Sequence, residues 1–139
     1  MAKLLGHMKK NVHILCFLVL FVGILSAQDS NARGTEFTEH IISTNANGAR
    51  SVSAADVNGD GNMDVLSASA DDNKIAWYEN NGSEVFTERI ISTNQNGPRS
   101  VYAADVNGDG DMDVLAVSSV DNKIAWYENN GSEVFTERI

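Results

Sequence analysis

The chain has 139 residues, with 10 Lys+Arg against 19 Asp+Glu, a formal net charge of −9 and one cysteine. An acidic surface of this kind repels nucleic-acid phosphates and anionic membranes, so neither is expected as a partner. A single cysteine excludes an intrachain disulfide, so packing or a bound ion must hold the fold.

Lys3, Lys9 and Lys10 precede an apolar run over 14–25, which ends at Ser26-Ala27. A basic start, a short apolar stretch and a small residue at its end form the pattern of an export signal, with cleavage expected near Ala27. The run is 12 residues long, against the roughly 20 that a membrane-crossing helix needs. An uncleaved anchor is the competing reading. Cys16 lies inside the run, ahead of its small-residue end, which argues against a lipid-attachment cysteine. Removing 1–27 takes away three lysines and no acids, leaving 7 basic and 19 acidic residues and a balance of −12. The remaining chain is then expected to be secreted or at the cell surface, with no membrane insertion. Residues 28–36 (QDSNARGTE) read as a flexible polar lead-in.

From residue 37 the chain repeats. Segments 37–85 and 86–134 align with nine differences, at 40/89, 46/95, 49/98, 53/102, 62/111, 67/116, 68/117, 70/119 and 71/120, and a third copy begins at 135. A repeat of this length indicates stacked or circularly arrayed supersecondary units. One unit reads as four strands, over 51–55, 63–70, 74–79 and 85–92, because short apolar runs alternate with Gly, Asn and Asp clusters. In the third strand, Ile75 and Trp77 fall on one face and Ala76 and Tyr78 on the other. Asp71-Asp72-Asn73 turns the chain, and Asn81-Gly82 is a hairpin signal. The segment 93–99 (TNQNGPR) reads as a connector, with Pro98 outside the strands because a central strand would need its N–H. No window has helical apolar spacing, so no helix is expected.

Two whole units, 51–92 and 100–139, follow from this reading, while 37–43 repeats a fourth strand without the rest of its unit. Strands one and two carry small residues; strands three and four carry Trp77, Tyr78, Phe86, Ile90 and Ile91. Such a sheet is a wedge, and wedges around an axis make a β-propeller of typically four to eight blades. The expected fold is therefore all-β, with two four-stranded antiparallel propeller blades. A β-sandwich and an open solenoid of hairpins remain as alternatives.

Each unit holds an acidic loop between its first two strands: DVNGDGNMD at 56–64 and DVNGDGDMD at 105–113. Oxygen-bearing side chains stand at loop positions 1, 3, 5 and 9, with Gly at position 6, the arrangement that wraps a short loop around a hard cation. The first loop offers Asp56, Asn58, Asp60, the carbonyl of Asn62, and Asp64. The second offers Asp105, Asn107, Asp109, the carbonyl of Asp111, and Asp113. Oxygen-only ligands argue against zinc and copper, and Mg²⁺ usually keeps several waters. Two Ca²⁺ sites are expected. A metal-free turn is one alternative, although it would leave three carboxylates repelling each other. A helix-flanked twelve-residue loop of the EF-hand or dockerin kind is another. It wants an acid at position 12, where Ser67 and Ala116 stand, and flanks that are helical.

The segments DVNGDGNMDVL and KIAWYENNG resemble FG-GAP-type repeats, also called VCBS repeats. These are the calcium-loop blades of integrin α-chain propellers and of many secreted microbial proteins. The resemblance covers 37–139. It implies a propeller in which the acidic loop joins a blade's first and second strands. Blade number departs from that pattern, since two wedges cannot close a ring. Either a longer chain or an assembly of several copies is expected.

No catalytic constellation is evident. His7 and His13 lie in the export signal, and His40 corresponds to Arg89 in the next copy. The chain is expected not to be an enzyme. The first functional reading is a secreted or cell-surface Ca²⁺-binding module for protein or matrix interaction and adhesion. The second is a glycan-binding propeller, with Trp77, Tyr78, Trp126 and Tyr127 as stacking faces, although these residues also suit blade packing. A third is an accessory propeller of a larger extracellular enzyme. Asn81-Gly82-Ser83 and Asn130-Gly131-Ser132 are glycosylation sequons that the Asn-Gly turn also explains. Arg50 and Arg99 are candidates for anion binding or for a solvated role.

Overall fold

A computed structural model describes residues 36–138. The chain divides into Met1–Glu39 and His40–Ile139, and every strand belongs to the second unit. The expected export signal, 1–27, and all but the last residue of the lead-in lie outside the described residues.

The first sheet contains β1 (Ala49–Ala55), β2 (Asp64–Ser69), β3 (Lys74–Asn80) and β4 (Phe86–Ser92), in the order β1-β2-β3-β4. The second contains β5 (Pro98–Ala104), β6 (Asp113–Ser118), β7 (Lys123–Asn129) and β8 (Phe135–Arg138), in the order β5-β6-β7-β8. All neighbouring strands are antiparallel. Among the described residues there is no helix. The all-β expectation and the strand order are therefore as observed. Each sheet is the four-stranded meander from which propeller blades are built.

Local chemistry accounts for the turns. Asn73 and Asn122 begin the return to β3 and β7 with φ of 55° and 54°, a left-handed conformation that asparagine adopts more readily than most residues. The Asn-Gly turn is longer than a two-residue hairpin. The chain leaves β3 at Asn80 and enters β4 only at Phe86, so Val85 is not part of the strand. The Asn81 N–H donates to the Val85 carbonyl at 3.2 Å. The Asn81 side-chain oxygen accepts from the Ser83 N–H at 2.9 Å, which closes an Asx turn.

Two boundary expectations are corrected. Pro98 is not in the connector: it is the first residue of β5. That strand is an edge of its sheet, and the pairing shifts between Pro98 and Ser100. A proline at the start of an edge strand loses no ladder bond. The segment 37–43 (FTEHIIS) forms no strand, and Phe37 and Ile41 are exposed. FTERIIS, one residue different, is β4. The difference is a partner: β4 pairs with β3, whereas no third strand precedes 37–43 in the described residues.

The two sheets stack face to face. β5 packs mainly against β1 and β2 and little against β3, so the approach is closest at the first two strands of the first sheet. The shared core contains Leu66, Ala68, Ile75 and Trp77 from the first sheet, and Val101, Val114, Ala116, Ala125 and Tyr127 from the second. Trp77 meets Phe135 edge to face, with ring centroids 6.4 Å apart, a favoured aromatic geometry. Arg89 lies 5.8 Å over the Trp77 ring and pairs with Glu79 at 2.6 Å. Lys74 is nearly buried and bonds to Glu88 at 2.7 Å and Asp72 at 3.3 Å. Burial alone would lower the Lys74 ammonium, but these two carboxylates outweigh it and raise its pKa.

Candidate metal centres

β1 runs directly into the first acidic loop at Asp56, and the loop returns at Asp64, the first residue of β2. The second loop spans β5 and β6 in the same way. The glycine at position 6 is required by the backbone. Gly61 and Gly110 have φ of 88° and 98°, and a Cβ there would meet nothing within 4 Å. Dihedral freedom, not space, selects the residue.

Within the first loop, the side chains at positions 1, 3 and 5 gather on the loop's own amides. Asp56 accepts the Asp60 N–H at 3.0 Å through Oδ1 and the Gly61 N–H at 2.9 Å through Oδ2. Asn58 Oδ1 accepts that same Asp60 N–H at 3.2 Å. Asp60 Oδ1 accepts the Asn62 N–H at 2.7 Å, and its Oδ2 accepts from Asn58 Nδ2 at 3.4 Å. The second loop repeats the pattern with small shifts. Asp105 accepts from Gly108 at 2.7 Å and Gly110 at 3.0 Å. Asn107 Oδ1 accepts from Asp109 at 3.0 Å, and Asp109 accepts from Asp111 at 2.9 Å.

These bonds favour the ionised acids. The Asn62 amide holds the exposed Asp60 carboxyl below the usual range, and the Asp111 amide does the same for Asp109. A depressed folded-state pKa contributes stability above the unfolded value of about 3.9, and that stability is lost as pH falls through the folded value. Acidification from pH 5 to pH 2 is therefore expected to lower the melting temperature. The variant carrying both Asp60→Asn and Asp109→Asn should show a flatter decline. An identical decline in the variant would mean that the loop acids contribute nothing to it.

Position 9 is built differently. Asp64 and Asp113 are fully buried. Asp64 accepts the Val57 N–H at 3.1 Å and the Asn80 N–H at 2.8 Å. Asp113 accepts the Val106 N–H at 3.1 Å and the Asn129 N–H at 2.8 Å. Each therefore ties the start of its loop to the end of the third strand. At position 7, the Asn62 side chain lies against Gly82 and that of Asp111 against Gly131. Both side chains sit over the Asn-Gly turn, which leaves the carbonyl as the loop's contribution there. The three aspartates of one loop do not close around a single point among the described residues. Positions 1, 3 and 5 come together, while position 9 serves the clasp.

Asn80 and Asn129 are participants to which the sequence alone assigned no role. Asn80 Nδ2 donates to the Met63 carbonyl at 3.0 Å. Asn129 Nδ2 donates to Met112 at 3.2 Å and across the stack to Val57 at 3.4 Å. Their recurrence at the same place in both repeats was the available signal. The two loops lie on the same side of the stack and border one groove of about 360 Å³, lined by Asp56, Val57 and Asn58 from one loop and Asp111 and Met112 from the other.

The other candidates resolve toward packing. Trp77, Tyr78 and Tyr127 are buried and Trp126 is half-buried, so they do not form an open stacking platform. Arg99 Nε donates to Ser119 Oγ at 2.9 Å, a local structural bond, and Arg50 is exposed.

Searches among curated proteins and among solved structures returned no match. The profile of the FG-GAP-like repeat matches three times, over residues 23–67, 56–116 and 105–139. The second and third matches begin at Asp56 and Asp105, the first residues of the two acidic loops. With these overlapping matches running from residue 23 to residue 139, the chain belongs to the FG-GAP-like repeat family.

Proposed function

We propose that the chain is an exported Ca²⁺-binding module whose blade-like sheets contribute to a propeller and carry a non-catalytic interaction surface for an extracellular protein or matrix partner. The observation that carries this reading is the duplicated loop, in which the side-chain oxygens of positions 1, 3 and 5 all gather on the loop's own amides. The residues fit the ion. Every ligand atom is an oxygen, and although both oxygens of Asp56 and of Asp60 accept a hydrogen bond within the loop, each carboxylate keeps further lone pairs. Asp56, Asn58, Asp60, the Asn62 carbonyl and Asp64 would hold one ion. Asp105, Asn107, Asp109, the Asp111 carbonyl and Asp113 would hold the other. A bound Ca²⁺ supplies two positive charges that offset the repulsion among the loop acids and pin the turn between the first two strands. Export rests on the basic and apolar pattern of 1–27. A glycan partner is less favoured than a protein one, because most of the candidate stacking rings are buried.

Calorimetric titration with Ca²⁺ after chelator treatment tests the reading. Two sites are expected, in the range of about 10⁻⁴–10⁻³ M common for extracellular modules, with a rise in melting temperature by mass action. The second site should be modestly tighter, because Asp111 adds a charge where the first loop has Asn62. Asp60→Ala should remove one site and Asp109→Ala the other. Absence of both heat and thermal shift at millimolar Ca²⁺ would reject the cation sites.

A further inference from the structure

The chain contains six Asn-Gly pairs, with the asparagines at 47, 58, 81, 96, 107 and 130. Glycine has no side chain to shield its nitrogen, so in this dipeptide the asparagine amide is most open to attack by the next backbone nitrogen. Two conditions decide whether the attack proceeds in a folded chain. The side-chain carbonyl must lie beside that nitrogen, and the nitrogen must be free of an acceptor. Four pairs meet the first condition. The Oδ1 atoms of Asn58, Asn81, Asn107 and Asn130 each accept the N–H two residues on, at 3.2, 2.9, 3.0 and 3.0 Å. Each ring closed in this way encloses the intervening glycine peptide. The same bond polarises the carbonyl carbon and would stabilise negative charge developing on its oxygen.

The second condition separates them. The Gly82 and Gly131 N–H groups donate to Asn80 Oδ1 and Asn129 Oδ1 at 3.1 and 3.2 Å. The Gly108 N–H donates to the Asp105 carboxylate at 2.7 Å. A nitrogen held on a carboxylate is a poor nucleophile, because that bond must break first and the carboxylate opposes further negative charge beside it. In the first loop the equivalent carboxylate is engaged elsewhere. Asp56 accepts from Asp60 and Gly61, and the Gly59 N–H meets no acceptor among the described residues. A Cβ at Gly59 would meet nothing within 4 Å, so the approach is also unshielded. The two remaining pairs are held. Gly97 donates to Asn73 Oδ1 at 3.0 Å. Gly48 lies against the Asp71 carboxylate, and the Gly48 and Asn47 carbonyls accept from Ala70 and Asp71 at 3.0 and 3.1 Å.

We propose that Asn58 is a self-modification site, converted through a cyclic imide to isoaspartate and aspartate, while Asn107 in the matching loop is spared. The Gly59 nitrogen bonds to Asn58 Cγ, the Cγ–Nδ2 bond breaks, and ammonia leaves with the proton that the nitrogen gives up. Water then opens the five-membered imide. Opening at Cγ yields aspartate. Opening at the main-chain carbonyl yields isoaspartate, in which the chain passes through the former side chain. The step takes only water as co-reactant. Isoaspartate lengthens the backbone of the first loop by one carbon and turns the Oδ1 that accepts the Asp60 N–H into a main-chain oxygen. The turn between β1 and β2 is therefore remodelled in one sheet only, which sets a lifetime on the first loop that the second lacks. The modification needs no bound cation, only the hydrogen bonds of the loop.

Incubation of the full chain in chelator under mildly alkaline conditions, followed by peptide mapping with mass spectrometry, tests the proposal. Asn58 is expected to convert at least about tenfold faster than Asn107, whose attacking nitrogen must first leave a charged acceptor. In urea-denatured chain the six pairs should convert at similar rates. Asp105→Ala frees the Gly108 N–H and should raise Asn107 conversion about tenfold. If circular dichroism shows that this variant does not fold, hydrogen exchange at the wild-type glycine amides replaces it, with Gly59 exchanging at least about tenfold faster than Gly108. Equal conversion of Asn58 and Asn107 in the folded chain, a folded Asp105→Ala chain in which Asn107 stays slow, or equal exchange at Gly59 and Gly108 would each overturn it. A denatured chain that keeps the Asn58 preference would do the same, since sequence and not structure would then set the rate.

Discussion

Asp64→Ala is expected to cost about 3–5 kcal/mol of folding stability, as would Asp113→Ala in the second sheet. Each carboxylate is fully buried and accepts two backbone N–H bonds. Hydrogen bonds to a charged acceptor contribute about 1.5–3 kcal/mol each, and a buried donor left without a partner costs about 1–3 kcal/mol. Alanine at position 64 would strand the Val57 and Asn80 amides together. The loss is a large part of the roughly 5–15 kcal/mol that holds a typical domain together. Asp64→Asn keeps the size and one acceptor oxygen, so its effect should be smaller. The clasp does not depend on an ion, so the loss should appear in chelator as well as in millimolar Ca²⁺. Chemical denaturation under both conditions measures it. A stability change seen only with Ca²⁺ would show that Asp64 acts through the ion alone.

Ile75→Ala is expected to cost about 2–4 kcal/mol, while Ile124→Ala at the equivalent position should change protomer stability by less than about 0.5 kcal/mol. The strands are the same heptapeptide, KIAWYEN, and their local structure is the same. Ile75 is 0% exposed between the sheets and Ile124 is 74% exposed. Truncating a core isoleucine removes buried apolar area and leaves a cavity. Truncating an exposed one away from special features does neither. Denaturation at concentrations low enough to keep the chain monomeric separates this effect from assembly. Equal losses in the two variants would mean that Ile124 is covered within a single chain.

The candidate site was legible in part for a simple reason. Loop positions 1, 3 and 5 interact with amides two to five residues away, so their roles follow from spacing alone. Position 9 was not legible in the same way. Asp64 reaches Asn80, 16 residues on, and that meeting depends on how β2 and β3 pair. Without that register, Asp64 reads as one more ligand, and Asn80 has no assigned role.

The sequence by itself determined the strands, their order, the absence of helix in the described part and the position of both loops. Period-two alternation and Asn, Asp and Gly turns are local signals, and each acts within a few residues. The tertiary structure decided which copy of each signal is used. FTEHIIS at 37–43 and FTERIIS at 86–92 differ by one residue, yet only the second has a third strand to pair with and becomes β4. Pro98 begins a strand because β5 is an edge, a fact about its neighbours and not about proline. Ile75 and Ile124 share their local sequence and differ completely in burial. Strand pairing and apolar burial are relations between surfaces, so two identical segments take different environments once one of them has been stacked upon.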